Sequence, residues 1–386
     1  MADKYAFVSA ELERREREGL RRQLRPVTPL GGVEVEVGGR RLVNFSSNDY
    51  LGLAGHPLVI GRAAEYLRQY GAGARASRLI CGSHPGFAPV EERLARLKGR
   101  GCALVFNSGF QANVSLLPAL GDRHSLVLVD RLAHRSLLLG AQACACQVRR
   151  FQHNDLDHLR GLLAQYRAAH SRVLIATESV FSMDGDRSEV GALAGLAAEY
   201  EALLLVDEAH ATGVLGPGGA GLCCGHQVDL VMGTLGKACG AFGAYVACEP
   251  LLGEYLVNCC AGLVYSTALP PAVLGAVDAA LELIPQMDAQ REQLRGHGEF
   301  LRRALREQGW DTAASTTQIV PLVVGESEAA VALAGWLEEE GALAVAIRPP
   351  TVPAGQARLR LALSVLHTRA QLEWLVELLG RWRGKN

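Results

Sequence analysis

Lys237 stands in Gly233-Thr234-Leu235-Gly236-Lys237, directly after the apolar run Leu230-Val231-Met232. Upstream, the apolar run Leu203-Leu204-Leu205-Val206 ends in Asp207-Glu208-Ala209-His210. A primary amine and a carboxylate, each just past a strand, are what pyridoxal phosphate chemistry requires. The amine condenses with the cofactor aldehyde, and the acid pairs with the pyridine nitrogen so that the ring can accept a carbanion's electrons. Taken singly, the lysine reads as a solvated loop residue and the aspartate as an N-cap or turn residue. Together they are more specific, because ligands of open parallel sheets collect at the carboxyl ends of strands.

Other residues fall at the same kind of position. Asn107-Ser108-Gly109-Phe110-Gln111-Ala112-Asn113 follows the predicted strand Ala103 to Phe106 and opens a helix through Val114-Ser115-Leu116-Leu117. The Gly109 and Phe110 amides could cradle a phosphate there; the plain alternative is an ordinary βα turn. Thr234 could add a hydroxyl to the same phosphate. His134, in Arg131-Leu132-Ala133-His134-Arg135-Ser136, reads either as a helix-start histidine or as an imidazole stacked on a flat ring. Ser179 follows Thr177-Glu178 at a further strand end, and His210 could donate to a cofactor's phenolic oxygen. Gly216-Pro217-Gly218-Gly219-Ala220-Gly221 fits G-x-G-x-x-G, but it follows no strand directly, contains a proline and opens no helix. It is read as a surface turn, not as a dinucleotide fingerprint.

The elements that must hold these residues follow from composition and pattern. With 386 residues, 49% hydrophobic and 20% charged, the chain can bury a large core in two or three domains. A net charge of -1 argues against nucleic acid as a partner. No apolar run approaches the roughly 20 residues of a membrane span. Met1-Ala2-Asp3-Lys4-Tyr5 leads into mixed charge, so no signal or transit peptide is expected. The ten cysteines, several in close pairs such as Cys144 and Cys146, show no zinc-ligand spacing. No metal is expected, and reduced thiols point to the cytoplasm.

Residues 9 to 24 read as a solvated helix, and Leu42-Val43-Asn44-Phe45 as a short strand before a polar turn. From about 58 to 280, short apolar strands alternate with helical stretches. The strands are Ala103 to Phe106, Ser125 to Val129, Val173 to Thr177, Leu203 to Val206, Asp229 to Met232 and Ala244 to Ala247. Such alternation predicts an α/β fold with a mostly parallel sheet covered on both faces. The strands Ile319 to Val324 and Arg358 to Leu363, and a last helix announced by Thr368 and Gln371, predict a smaller α+β C-terminal domain. The expected pieces are 1–45, 46–285 and 286–386.

Asn48-Asp49-Tyr50-Leu51-Gly52-Leu53, Ser77-Arg78-Leu79, Ser108-Gly109-Phe110, Glu178 to Asp186, Asp207-Glu208-Ala209-His210 and Thr234-Leu235-Gly236-Lys237 together resemble the α-oxoamine synthases. The resemblance runs from about residue 20 to 380. It implies an aspartate-aminotransferase-like (fold type I) large domain, a pyridoxal phosphate cofactor and a homodimer. Lys237 would hold the cofactor, Asp207 its pyridine nitrogen and His210 its phenolic oxygen. Ser179 and Thr234 would line it, Gly109 and Phe110 would cradle it, and His134 would stack on it. Thr267 would reach the phosphate from the neighbouring subunit. Arg360 matches the family's amino-acid carboxylate ligand, and Arg21 and Thr351 match substrate-binding positions.

Within the family, Ile347 to Pro353 and His153-Asn154-Asp155 resemble the branch that condenses L-alanine with a pimeloyl thioester, on coenzyme A or an acyl carrier protein. A sister branch using glycine and acetyl-CoA shares the cofactor residues, and a silent pyridoxal-binding regulator is the reading from another class. Arg75-Ala76 and Cys81-Gly82-Ser83-His84-Pro85 depart from the family pattern near the expected acyl channel.

Overall fold

The computed structural model describes residues 4–385. The Met1-Ala2-Asp3 start, read above for its charge, lies outside them. Internal contacts divide the chain into two units: residues up to Ser47 with Met183–Gly185 and the part from Leu294 onward, and Asn48–Ser182 with Asp186–Gln293.

In the larger unit seven strands form one sheet. Their spatial order is Cys102–Phe106, Ala244–Cys248, Leu230–Thr234, Leu203–Asp207, Arg172–Glu178, Ser125–Asp130 and Gln147–Phe151. Only Ala244–Cys248 runs against its neighbours; the other pairings are parallel. Leu104, Phe106, Val127, Val129, Leu174, Leu205 and Met232 bury one face against Leu116, Leu117 and Leu137 of the helices Gly109–Leu120 and Arg135–Ala143. Val105, Leu126, Leu128, Ile175, Leu204, Val206 and Val231, which alternate with them, are buried as well. Burial of both faces is why these strands read as unbroken apolar runs. Gln147–Phe151 went unexpected because it is a sheet edge whose Arg149 and Arg150 face water, so its apolar signal is halved.

Behind the Asp207 strand end lies a wholly buried ion pair. Lys98 Nζ meets Glu208 Oε2 at 2.8 Å, Thr212 Oγ1 at 3.0 Å and the Ala220 carbonyl at 2.6 Å, while Glu208 Oε1 accepts from the Cys223 N–H. Burial pulls the Lys98 amine down, but Glu208 outweighs it and holds the amine charged. The glycine-rich segment is moulded onto this pair. Gly221 has φ +90°, and a Cβ there would lie 2.1 Å from the Glu208 carboxylate. Its glycines therefore make a turn that admits a buried acid.

In the smaller unit, Thr28–Gly31, Glu34–Val37 and Arg40–Asn44 form an antiparallel meander, and Ala342–Leu343 joins it in parallel beside Arg40–Asn44. That pairing groups the N-terminal segment with the C-terminal one, where the pattern along the chain suggested separate pieces. Ile319–Gly325, Ala357–Ala362 and Ala346–Ile347 make a second sheet. The first helix covers Ala6–Arg17, shorter than the 9-to-24 span expected, because Gly19 takes a left-handed φ of +63° just beyond it. The last helix carries its reciprocal cap: Gln371 N–H donates to Thr368 Oγ1 at 3.2 Å, and Thr368 N–H to Gln371 Oε1 at 2.9 Å.

His367 makes the smaller unit acid-sensitive. Its ring stacks on Phe45 at 4.7 Å, Nδ1 accepts from the Ser364 N–H at 3.0 Å, and Nε2 lies 3.2 Å from the Asn44 carbonyl. Burial holds its pKa down to about 4. A depressed imidazole stabilises the fold while neutral, so its contribution is complete above the ordinary value near 6.5 and is lost as pH falls from there towards 4. Between pH 7 and 4.5, wild type should lose about 2 kcal/mol more unfolding free energy than His367→Gln, read by urea titration. Equal losses would contradict this account.

Candidate active site

Because their strands are co-directional, Phe106, Asp130, Glu178, Asp207 and Thr234 end at one edge of the large sheet. Asp207 is 4% exposed. Its Oδ2 accepts from Asn113 Nδ2 at 2.8 Å and its Oδ1 from the Ala209 N–H at 2.8 Å. The second hydrogen of the Asn113 amide goes to Ser136 Oγ at 3.0 Å, and Ser136 Oγ lies 2.7 Å from His134 Nδ1. A hydroxyl that accepts from Asn113 has its own hydrogen to give, so His134 Nδ1 is the acceptor and the neutral ring carries its hydrogen on Nε2. Burial lowers the His134 pKa; Asp207 pulls it up and Lys237 pushes it down further, with a net fall.

His134 is also the N-cap of the helix Arg135–Ala143, which fixes where its ring can go. Its backbone N–H donates to Glu178 Oε1 at 2.5 Å. Glu178 is opposite Asp207 in the next strand, and burial followed by the Asp207 charge raises its pKa well above the carboxylate range. Burial and the neighbouring acid therefore both work against a negative charge on Glu178.

Lys237 Nζ lies 2.7 Å from His210 Nε2, and His210 Nδ1 lies 2.6 Å from the Tyr50 hydroxyl, which donates to Asn48 Oδ1 at 3.1 Å. Asn48, Tyr50, His210 and Lys237 thus form one hydrogen-bonded run that ends at the lysine amine. Tyr50 is completely buried, so Tyr50→Phe should cost about 1–3 kcal/mol of unfolding free energy in urea. A variant as stable as wild type would show that this bond is not formed.

Ser179 is buried, and its N–H donates to the Asp207 carbonyl at 2.9 Å. Thr234 Oγ1 donates to the Gly243 carbonyl and accepts from the Gly236 N–H. Gly109 opens its helix under a Ser108 cap, and a side chain there would meet Met232 and Thr234 only at 3.8–3.9 Å. This helix start therefore lies alongside Thr234. Phe110 is half exposed. Thr267 is exposed, its backbone bridged to Ser77 and its carbonyl held by Asn107 Nδ2 at 2.8 Å.

The three remaining candidates belong to the smaller unit. Arg360 lies on Ala357–Ala362 opposite Pro321 and is 8% exposed. Arg21 pairs with Glu16 at 3.1 Å, and Thr351 Oγ1 accepts from Arg22 at 3.4 Å. Among the described residues no group of His, Cys, Asp and Glu is placed to hold a metal, and no helix is long and apolar enough to cross a membrane.

Reading the sequence missed Asn113, Ser136, Glu178 and Tyr50. Asn113 offered a signal, being a polar side chain in the apolar stretch of a helix, which must find a partner if buried.

The family model for class I and II aminotransferases matches residues 40–379. The 8-amino-7-oxononanoate synthase of Gluconacetobacter diazotrophicus is 49% identical over 381 residues, covering 97% of this chain and 96% of its own. A Desulfosudis oleivorans protein provisionally given the same enzyme name is 56% identical over 381 residues, covering 98% and 99%. A serine palmitoyltransferase variant from S. paucimobilis, solved with bound PLP-myriocin aldimine, superposes with a TM-score of 0.92 at 26% identity, covering 98% of this chain and 97% of its own. The chain therefore belongs to the class I and II aminotransferase family of fold type I enzymes and, within it, to the 8-amino-7-oxononanoate synthases.

Proposed function

We propose that the protein carries out the decarboxylative condensation of L-alanine with a pimeloyl thioester, giving 8-amino-7-oxononanoate, carbon dioxide and free thiol in biotin biosynthesis. The observation that carries this reading is the meeting of the Lys237 amine, His210 and the buried Asp207 carboxylate at one sheet edge. That edge fits pyridoxal phosphate. Each Asp207 oxygen receives one hydrogen bond from the protein and keeps a lone pair for a ring N–H. The cofactor, when bound, supplies an aldehyde for the lysine and an electron sink for a substrate carbanion.

Lys237 holds the cofactor and, as a neutral amine, takes the α-proton of alanine. Asp207 keeps the pyridine nitrogen protonated, and its buried setting makes that attraction strong. His210 serves the phenolic oxygen. His134, neutral and with its hydrogen on Nε2, is suited to lie on the ring face and to donate to the acyl carbonyl. The Gly109 and Phe110 amides and the Thr234 hydroxyl receive the phosphate, with Ser179 beside them and Thr267 contributed by the neighbouring subunit of a homodimer. Arg360 takes the amino-acid carboxylate, for which a guanidinium fork is better shaped than an ammonium, and Arg21 and Thr351 bind substrate. All ten cysteines are free thiols, which supports a cytoplasmic setting.

The test is incubation of purified protein with pyridoxal phosphate, L-alanine and pimeloyl-CoA, with product identified by mass. The same assay is run with a pimeloyl carrier-protein thioester, and with glycine and acetyl-CoA. Preference for the glycine pair would replace this reading with glycine C-acetyltransferase. Cofactor binding without turnover of any pair would make the protein a silent binder.

A further inference from the structure

Between two of the loops that carry the proposed site lies an imidazole whose ring contacts are with none of the residues proposed to hold cofactor or substrate. His153 follows the edge strand Gln147–Phe151. Its Nδ1 lies 3.1 and 3.2 Å from the two oxygens of Asp130, and its Nε2 lies 2.9 Å from Asp186 Oδ2. A neutral ring would set a lone pair against one of these carboxylates, so the geometry requires hydrogen on both nitrogens. Burial opposes that charge, but the two aspartates outweigh it and raise the pKa to about 10.

The two acids belong to different loops. Asp130 is the last residue of its strand and is completely buried; its Oδ1 also accepts from the Leu132 N–H at 2.8 Å, at the start of the run that leads to His134. Asp186 sits in the loop that leaves Ser179 and returns. In that loop Phe181 N–H donates to the Asp186 carbonyl, and Ser188 N–H donates to the Ser179 carbonyl. The Phe181 ring meets the His153 ring edge-on at 4.3 Å. Asn154, at a left-handed φ of +52°, adds a second tie, its Nδ2 donating to Asp186 Oδ2 at 2.8 Å and its N–H to Asp130 Oδ2 at 3.0 Å. A left-handed non-glycine residue is accepted here because it aims both donors at the two acids.

We propose that His153, as the imidazolium, is a positioning residue that bolts the Asp130 loop to the Asp186 loop and thereby fixes His134 and Ser179 against Asp207. Its effect on catalysis rests on the function proposed above; its effect on the two loops does not. Replacing it with glutamine removes the positive charge and leaves two carboxylates facing one neutral amide. Removing one of those charges as well restores a bridge that a single amide can make.

The experiment compares wild type, His153→Gln, Asp186→Asn and the double variant, each loaded with pyridoxal phosphate. Hydrogen–deuterium exchange of residues 131–137 and 179–189 is followed, together with circular dichroism of the cofactor band and turnover of alanine with pimeloyl-CoA. His153→Gln should raise exchange at least tenfold in both segments at once and change the cofactor dichroism. A misplaced stacking ring should lower kcat/KM by on the order of 10²-fold. The double variant should recover at least tenfold of each loss, a pattern that mere filling of space cannot give. Asp186→Asn alone, which keeps both shapes, should loosen 179–189 more than 131–137. Unchanged protection in both segments of His153→Gln and Asp186→Asn, or a double variant worse than His153→Gln, overturns the proposal. A wild-type protein that takes up no cofactor would instead refute the function, while the exchange comparison would still decide the bolt.

Discussion

Lys237→Ala should abolish turnover of alanine with the pimeloyl thioester, a loss on the order of 10⁴-fold or more. The substitution removes the only atom proposed both to anchor the cofactor and to move the α-proton, so the two losses fall on one step and compound. Folding should survive, because Lys237 sits in the turn after a strand, with its nitrogen beside His210. Three measurements separate these effects. Borohydride reduction followed by peptide mapping should place a pyridoxyl group on Lys237 in wild type and on no residue in the variant. Visible absorption of the loaded protein should change correspondingly. Urea unfolding should move little. A variant that keeps the trapped adduct at another lysine would remove Lys237 from its role, whatever its activity.

The parts of this site legible in the sequence are those that the backbone itself places. Asp207, Thr234 and the turn to Gly109 follow apolar runs, and a parallel sheet buried on both faces must bring the ends of such runs to one edge. The periodicity also carried the last helix, where Thr368 and Gln371 satisfy each other's backbone as a capping box does. Illegible were the contacts that depend on where long-range packing sends a side chain. Nothing in the local pattern pairs Asn113 with Asp207, or Tyr50 with His210, because each pair is set by a helix or turn crossing over the sheet edge. Glu178 stood in plain view beside Ser179, but the rise in its pKa comes from burial and from register: it is opposite Asp207 in the next strand, and one-residue spacing along the chain cannot show that. The Gln147–Phe151 strand was hidden for a simpler reason, since an edge strand with outward arginines lacks half of the apolar signal. Of the three N-terminal strands only the one at Leu42 to Phe45 was read, and it was not joined to the C-terminal unit, because a two-residue parallel pairing, Val43 with Ala342 and Asn44 with Leu343, leaves no trace in composition.

Asp207→Ala is expected to lower turnover by on the order of 10³-fold, equivalent to about 4 kcal/mol of transition-state stabilisation. The size follows from burial. At 4% exposure the carboxylate is screened little by water, so its attraction for a protonated ring nitrogen is far stronger than that of a surface pair. The alanine variant also leaves one hydrogen of the Asn113 amide without its acceptor, at a cost of about 1–3 kcal/mol. That second effect weakens the fold and should appear in urea unfolding; the first is a rate effect and should not. Asp207→Asn separates the two. Its amide oxygen can still accept from Asn113, so it gives up only the bond from the Ala209 N–H where alanine gives up both, but it carries no charge, so the rate loss should remain. Proton exchange at the α-carbon of alanine without acyl donor gives the cleanest readout, since it isolates carbanion formation from condensation. If Asp207→Asn exchanged that proton at the wild-type rate, the carboxylate charge would have no part in the chemistry. The assignment of Asp207 would then reduce to holding Asn113 in place.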